Sequence, residues 1–138
     1  MKPEIFSDLH NHTTASDGDF SPEELVEAAA AKKIPVISVT DHDTLAGLAS
    51  ALDAGKRFNV QVIPGVEVSI RFKRDYFTGT LHLLLYFSPD RLLDESFTGT
   101  LGRILSGGRG DSLVRARIAE INRVFGPGKP MAMLERDM

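Results

Sequence analysis

VISVTDHDT, residues 36–44, decides how this chain folds. Val36, Ile37, Val39 and Thr40 are apolar or β-branched, as a strand buried on both faces requires, and the run ends in a histidine flanked by two aspartates. Upstream, Ser21-Pro22-Glu23-Glu24 is a capping box: serine stands at the N-cap, proline at the first helical position and glutamate at the third. A helix begins there, with Leu25, Val26 and Ala29 along one side. Its glutamates lie in the early turns and Lys32 and Lys33 at the end, so the charges complement the helix dipole until Pro35 closes the element. Downstream, Thr44 is expected as the N-cap of a second helix, with Leu45, Leu48 and Leu52 as its apolar stripe and Lys56 and Arg57 near its end. IFSDLHNH (residues 5–12) precedes all this as a first strand, and NVQVIPGVEVSIRF (residues 59–72) follows as a third. Strand, helix, strand, helix, strand is the order of right-handed crossovers in a parallel sheet or barrel.

The pattern then changes. RFKRDYFTGTLHLLLYF (residues 71–87) offers only a short turn between two β-rich runs, and a crossover between parallel strands needs a dozen residues or more. Residues 66–73 and 80–87 are therefore expected to pair as an antiparallel hairpin. SPDRLLDESF (residues 88–97) shows no single period. SGGRGD (residues 106–111) is a glycine-rich loop, and its Arg-Gly-Asp is accounted for by a loop followed by an aspartate cap. Val114, Ile118, Ile121 and Phe125 recur at helical spacing over residues 112–125, and Gly126 and Pro127 stop that helix.

Composition narrows the chemistry. The chain has 138 residues, 42% hydrophobic and 25% charged, enough for one core in a single domain. Without a long apolar run or a signal-type leader, no membrane partner and a cytoplasmic location are expected. The chain has no cysteine, which excludes disulfides, thiolate catalysis and thiolate metal sites, so histidine and carboxylate are the strong ligands available. A net charge of -3 argues against a protein that grips long nucleic acid, whereas small anionic substrates remain compatible if bound cations supply the positive charge.

Half of the four histidines lie in SDLHNHTTASDGD, residues 7–19. In a strand, residues two apart share a face with Cα atoms about 6.6 Å apart, so His10 and His12 can present two imidazoles to one ion while Asn11 faces away. Taken singly, such a pair also marks a solvated strand end, and Asp17 in its SDG turn is a common turn former. His42 is either a ligand or a capped strand end, and Asp41 and Asp43 beside it suit a ring whose second nitrogen is held by a carboxylate. Glu67 interrupts an apolar strand, where an unpaired carboxylate is costly, so it must be paired, protonated or metal-bound. His82, within TLHLLLYF, is equally compatible with a hydrogen-bonded core histidine. Recurrence outweighs these separate readings: three successive strands end in His, His and Glu, as a site at the C-terminal mouth of a barrel requires. Arg71, Lys73 and Arg74 suit either a second phosphate or a solvated basic turn, and Tyr76 and Phe77 could stack on a base.

His10-Asn11-His12 with Ser16-Asp17-Gly18, Thr40-Asp41-His42-Asp43-Thr44, Pro64-Gly65-Val66-Glu67 and the histidine of LHLLLYF resemble the first three motifs of the PHP (polymerase and histidinol phosphatase) family. Order, spacing and flanking residues agree from residue 5 to about residue 88. The resemblance implies an α/β fold, the N-terminal half of a distorted seven-stranded β/α barrel. It also implies two to three divalent ions, of Mn, Zn, Fe or Mg. By matching position, His10 and His12 fall to a first ion, Glu67 bridges to a second that His82 also holds, and Asp17 and His42 fall to a third. Asp8, Asp41 and Asp43 support these ligands. The implied activity is that of a phosphoesterase hydrolysing a nucleotide or other small phosphate ester, through attack of a metal-bound hydroxide on phosphorus. A metal-binding but inactive fragment and a nucleic-acid processing module of the polymerase-associated kind are the alternatives.

The chain departs from the family pattern in length. A β/α barrel typically needs about 250 residues, and the family takes a further histidine and an Asp-x-His pair from its C-terminal half. His82 is the last histidine here. Residues 1–138 are thus expected to form one incomplete domain, with the barrel motifs in 1–88 and, in 89–138, a helical region resembling the start of a family insertion. Completion by a missing half or by self-association is expected.

Overall fold

The computed structural model describes residues 6–74 and 77–106, without the side chains of residues 71–78. The expected helix over residues 112–125, its stop at Gly126 and Pro127, and the Arg-Gly-Asp loop lie outside the described residues.

The elements follow the expected order: β1 (Ser7–Asn11), α1 (Pro22–Ala31), β2 (Val36–Val39), α2 (Leu48–Phe58), β3 (Gln61–Arg74), β4 (Phe77–Tyr86), a 3₁₀ turn (Pro89–Leu93) and α3 (Glu95–Ser106). One four-stranded sheet runs β1-β2-β3-β4. β1 and β3 flank β2 in parallel, and β4 returns antiparallel beside β3. The sheet curls until the Tyr86 hydroxyl on one edge strand donates to the Leu9 carbonyl on the other, at 2.7 Å. The architecture is that of a half-barrel.

The capping box closes as the sequence requires. Ser21 Oγ accepts the Glu24 N–H at 3.2 Å, and the Glu24 carboxylate accepts the Ser21 N–H at 2.8 Å. Val26 and Ala29 are buried from this helix. α2 departs from expectation, because Thr44 does not cap it. The Thr44 hydroxyl accepts the Ala46 N–H at 3.2 Å and Leu48 N–H donates to the Leu45 carbonyl at 3.1 Å, so residues 44–47 form a turn and the helix starts at Leu48. Gly47 occupies the N-cap position instead. A Cβ there would lie 3.0 Å from Pro22 Cγ, 3.1 Å from Asp41 Oδ2 and 3.2 Å from Thr13 Oγ1, which leaves little room for a capping side chain. Leu45 and Leu52 still pack on the core, and Lys56 and Arg57 lie in the last turn.

Two apolar clusters result. The larger joins Val26 and Ala29 of α1 to Ile37 and Val39 of β2, Leu48, Ala51 and Ala54 of α2, and Val62 of β3. The smaller places Leu101 and Leu105 of α3 on Val66 and Val68 of β3. The segment without a clear period resolves into the 3₁₀ turn and the start of α3, where Asp94 accepts the Ser96 and Phe97 N–H groups at 3.0 and 3.1 Å. Asp94 is thus a side-chain cap that satisfies first-turn donors.

β3 changes partner partway. From Gln61 to Pro64 it pairs with β2, and from Gly65 to Arg74 it pairs with β4. Gly65 stands at the change, where a Cβ would lie 2.9 Å from Thr40 Cγ2, 3.0 Å from Ser38 Oγ and 3.1 Å from the Leu85 carbonyl oxygen.

Candidate metal centre

Each strand end delivers one part of the site. β1 carries His10, and His12 follows directly after it. The loop beyond folds back on the strand: Gly18 N–H donates to the Thr13 carbonyl at 2.9 Å and Thr14 N–H to the Phe20 carbonyl at 2.9 Å. Any Cβ at Gly18 would fall inside the van der Waals shell of the His12 carbonyl, so only glycine lets Asp17 return to His12. Asp41, 1% exposed, clamps this loop to the end of β2. Its carboxylate accepts the Thr13 N–H at 2.7 Å, the Thr13 hydroxyl at 2.8 Å and the Ser16 hydroxyl at 2.6 Å.

His42 reaches the site because the chain after β2 keeps pairing with β3 through a bridge between His42 and Glu67. Asp43 N–H donates to the Glu67 carbonyl at 3.0 Å, and Glu67 N–H to the Asp41 carbonyl at 3.2 Å. Asp43 then turns the chain with φ of 49°, in the left-handed region that aspartate tolerates better than most residues. Its carboxylate accepts the Ser69 N–H at 2.8 Å. Asp41 and Asp43 therefore hold backbone and hydroxyls in place, and the expectation that they steady the His42 ring is corrected. Asp8 is exposed; its carboxylate accepts a long contact, 3.5 Å, from the His10 N–H, and its carbonyl accepts the Asn11 side-chain amide at 3.0 Å.

The hairpin supplies the last part. His82 is opposite Ser69 in the ladder, one pleat beyond Glu67, so the antiparallel return brings the middle of β4 beside Glu67. His82 Nδ1 lies 2.8 Å from Glu67 Oε1. On the other carboxylate oxygen, Glu67 Oε2, converge His10 Nε2 at 2.7 Å and His12 Nε2 at 3.0 Å, with the two ring nitrogens 3.1 Å apart. His42 Nδ1 is 3.8 Å from the same oxygen, and its Nε2 is 3.7 Å from Asp17 Oδ2. The four imidazoles form a chain, with ring centroids 5.1 Å apart from His10 to His12, 4.5 Å from His12 to His42 and 5.1 Å from His42 to His82.

The six residues singled out as ligands thus come together in three overlapping groups: His10, His12 and Glu67; His12, Asp17 and His42; His42, Glu67 and His82. Arg71, Lys73 and Arg74 occupy the outer part of the ladder, opposite Thr80, Thr78 and Phe77. Their side chains, with those of Tyr76 and Phe77, lie outside the described residues. Sequence reasoning missed Thr13, Ser16 and Tyr86, whose partners are remote in the chain.

Electrostatics favour an ionised Glu67. Burial pushes its carboxyl up, but the hydrogen bonds from His10 and His82 and the charge of His42 outweigh burial, so it lies below the ordinary glutamate value. Burial, with the Glu67 charge as a second cause, raises the Tyr86 phenol.

The donor set fits divalent ions. Ligand atoms about 2.0 to 2.1 Å from one ion stand about 2.9 to 3.4 Å from each other. The separations of 2.7, 3.0 and 3.1 Å among His10, His12 and Glu67 are near those polyhedral edges. His12 Nδ1 is a buried ring nitrogen without a hydrogen bond, 3.4 Å from Asp17 Oδ1, so this second face of the ring also pairs a nitrogen with a carboxylate as a metal donor set does.

The PHP domain model matches residues 8–91, more than half of the chain. The chain belongs to the PHP domain family. Among curated relatives, this PHP chain is 47% identical to a 5'-3' exoribonuclease of Haemophilus influenzae over 66 residues, which cover 48% of this chain and 24% of that one. It is 39% identical over 77 residues to a 3',5'-nucleoside bisphosphate phosphatase of Chromobacterium violaceum, covering 56% and 26% respectively. A solved structure of a proposed metal-dependent phosphoesterase from Bifidobacterium adolescentis superposes with a TM-score of 0.66 and 26% identity, over 88% of this chain and 39% of that one. The match with these curated relatives spans about a quarter of their length. The curled sheet is therefore the corresponding part of a PHP barrel. Among the described residues no helix is long and apolar enough to cross a membrane.

Proposed function

We propose that this chain carries the N-terminal metal-binding half of a divalent-metal-dependent phosphoesterase that hydrolyses a nucleotide or other small phosphate ester. One observation carries the reading: the two oxygens of the buried Glu67 carboxylate face different histidines, His10 and His12 on one side and His82 on the other. A carboxylate so divided suits a bridge between two ions. The names of the exoribonuclease and bisphosphate phosphatase relatives add support, since both describe cleavage of phosphate esters.

In this reading His10, His12 and Glu67 hold a first ion, Glu67 and His82 a second, and Asp17 with His42 a third, the metals being Mn, Zn, Fe or Mg. Bound ions of this kind acidify water and neutralise charge building on a phosphoryl group. The protein's own part is to fix the donors before substrate arrives: Asp41 pins the loop bearing Asp17, Asp43 pins the turn after His42, and the hairpin ladder aims His82. Arg71, Lys73 and Arg74, beyond the mouth on the same hairpin, suit a second phosphate on the substrate. A net charge of -3 favours a small ester over long nucleic acid, and a cytoplasmic location is part of the same proposal. β1 pairs only with β2 among the described residues. Its second edge suits further strands, from a longer chain or a second copy, that would complete a barrel.

The test is metal content. After loading with Mn²⁺ or Zn²⁺, the chain should retain ions that Glu67→Gln loses to a greater extent than any other single substitution. Retention of the same ions by Glu67→Gln would sink the reading. In a longer parent protein, hydrolysis of a nucleotide monoester should stop with chelator and return with metal, and parallel assays on single-stranded RNA separate the small-ester reading from an exonuclease one.

A further inference from the structure

His10 lies closest to Glu67, yet little of its own surroundings holds it. Its side chain is 49% exposed, and it stands on an irregular stretch of β1. The pairing with β2 goes from Asp8 opposite Ile37 to Asn11 opposite Val39, so Leu9 and His10 together face the single residue Ser38. An extra residue in a strand re-aims the side chain it carries and loosens the local ladder. The Leu9 carbonyl, part of the peptide that leads into His10, is gripped from across the sheet by the Tyr86 hydroxyl at 2.7 Å. Tyr86 is itself held in a regular position, opposite Gly65 and two residues from the partner of Glu67, because Glu67 faces Leu84. The strand that aims His82 thereby also anchors the peptide that aims His10.

We propose that Tyr86 is a positioning residue for the metal centre, which fixes the bulged Leu9–His10 peptide so that the His10 imidazole meets Glu67. The inference rests on the metal reading above. It assigns Tyr86 no contact with ion or substrate and makes the carbonyl of Leu9 its sole target. It also explains why the two edge strands of an open sheet are tied together at this level.

Tyr86→Phe keeps the ring and removes only the hydroxyl. The hydroxyl bond is exposed, so thermal unfolding of the metal-free variant should stay within a few degrees of wild type. Partners that orient metal ligands typically account for about 10- to 100-fold in affinity. Competition with a chromophoric chelator should therefore show Mn²⁺ or Zn²⁺ bound about 10-fold more weakly. In the metal-free state, imidazole NMR resonances of His10 should shift while those of His82 stay in place. Unchanged affinity and an unmoved His10 resonance would overturn the proposal, as would a fall in affinity matched by general loss of thermal stability. If the wild-type chain binds no divalent metal, the metal reading itself fails and takes this inference with it. Binding by wild type and Tyr86→Phe alike defeats this inference alone.

Discussion

The first four residues of β3 and the ten that follow are one strand in two different structures. From Gln61 to Pro64 it is part of a parallel layer whose helix-facing side is closed, with Ile37 2% and Val39 0% exposed on the neighbouring strand. From Gly65 onward it is half of a hairpin that α3 covers only in part, leaving Ile70 37%, Leu81 57% and Leu83 53% exposed. The parallel layer has two helices on its outer face; the hairpin has one, reaching Val66 and Val68. Yet Glu67, the carboxylate on which His10, His12 and His82 converge, stands on the hairpin with His82. Stability is concentrated in one part and the carboxylate proposed as a bridge, Glu67, in the other.

A substitution at the centre of the parallel layer should therefore have the largest effect on stability. Ile37→Ala removes a fully packed side chain from the middle strand and should cost about 2 to 5 kcal/mol, with the upper end reached if the helices cannot close the cavity. Urea unfolding followed by circular dichroism reads this directly. A loss of under about 1 kcal/mol would mean that the two parts do not differ as their burial says.

The junction sharpens the comparison. Gly65→Ala places a methyl group 2.9 Å from Thr40 Cγ2 and 3.1 Å from the Leu85 carbonyl oxygen, so β2 and β4 must both give way. Overpacking of this kind costs about 1 to 3 kcal/mol. It should also weaken metal binding, because Glu67 is two residues away and its backbone pairs with Asp41 and Asp43. A variant that loses stability while holding metal as well as wild type would show that the hairpin aims Glu67 without help from the parallel layer.

Much of this was legible in the sequence because the signals are local. The capping box at Ser21 and Glu24, the β-branched run of β2 and a turn too short for a crossover each specify structure within a few residues. The hairpin also explains why His82, expected near the start of its strand and found in the middle of β4, reaches the same mouth as the ends of the parallel strands. Thr44 misled because a hydroxyl that accepts an N–H two residues on serves a turn as readily as a helix cap, and only the crowding at Gly47 decides between them. The roles of Asp41 and Asp43 follow from strand alternation: both neighbours of His42 point away from it, a period-two argument that chain adjacency obscured. The contact between Tyr86 and Leu9 joins residues 77 apart in sequence, and no local pattern announces a partner at that distance.

The smallest effect belongs on the outer face of the hairpin. Leu83 lies opposite Val68 in the ladder, and Val68 is 8% exposed under α3 whereas Leu83 is 53% exposed, so the cover of α3 stops between two neighbouring strands. Leu83→Thr introduces a β-branched side chain suited to a strand and removes little buried surface, so unfolding free energy should change by no more than about 0.5 kcal/mol. Metal binding should not change either, since alternation puts Leu83 on the face opposite its neighbour His82. A loss of several kcal/mol from this exposed leucine would show that something covers the hairpin in solution. The contrast between a closed parallel layer and an open hairpin would then describe residues 6–106 alone and not the chain as a whole.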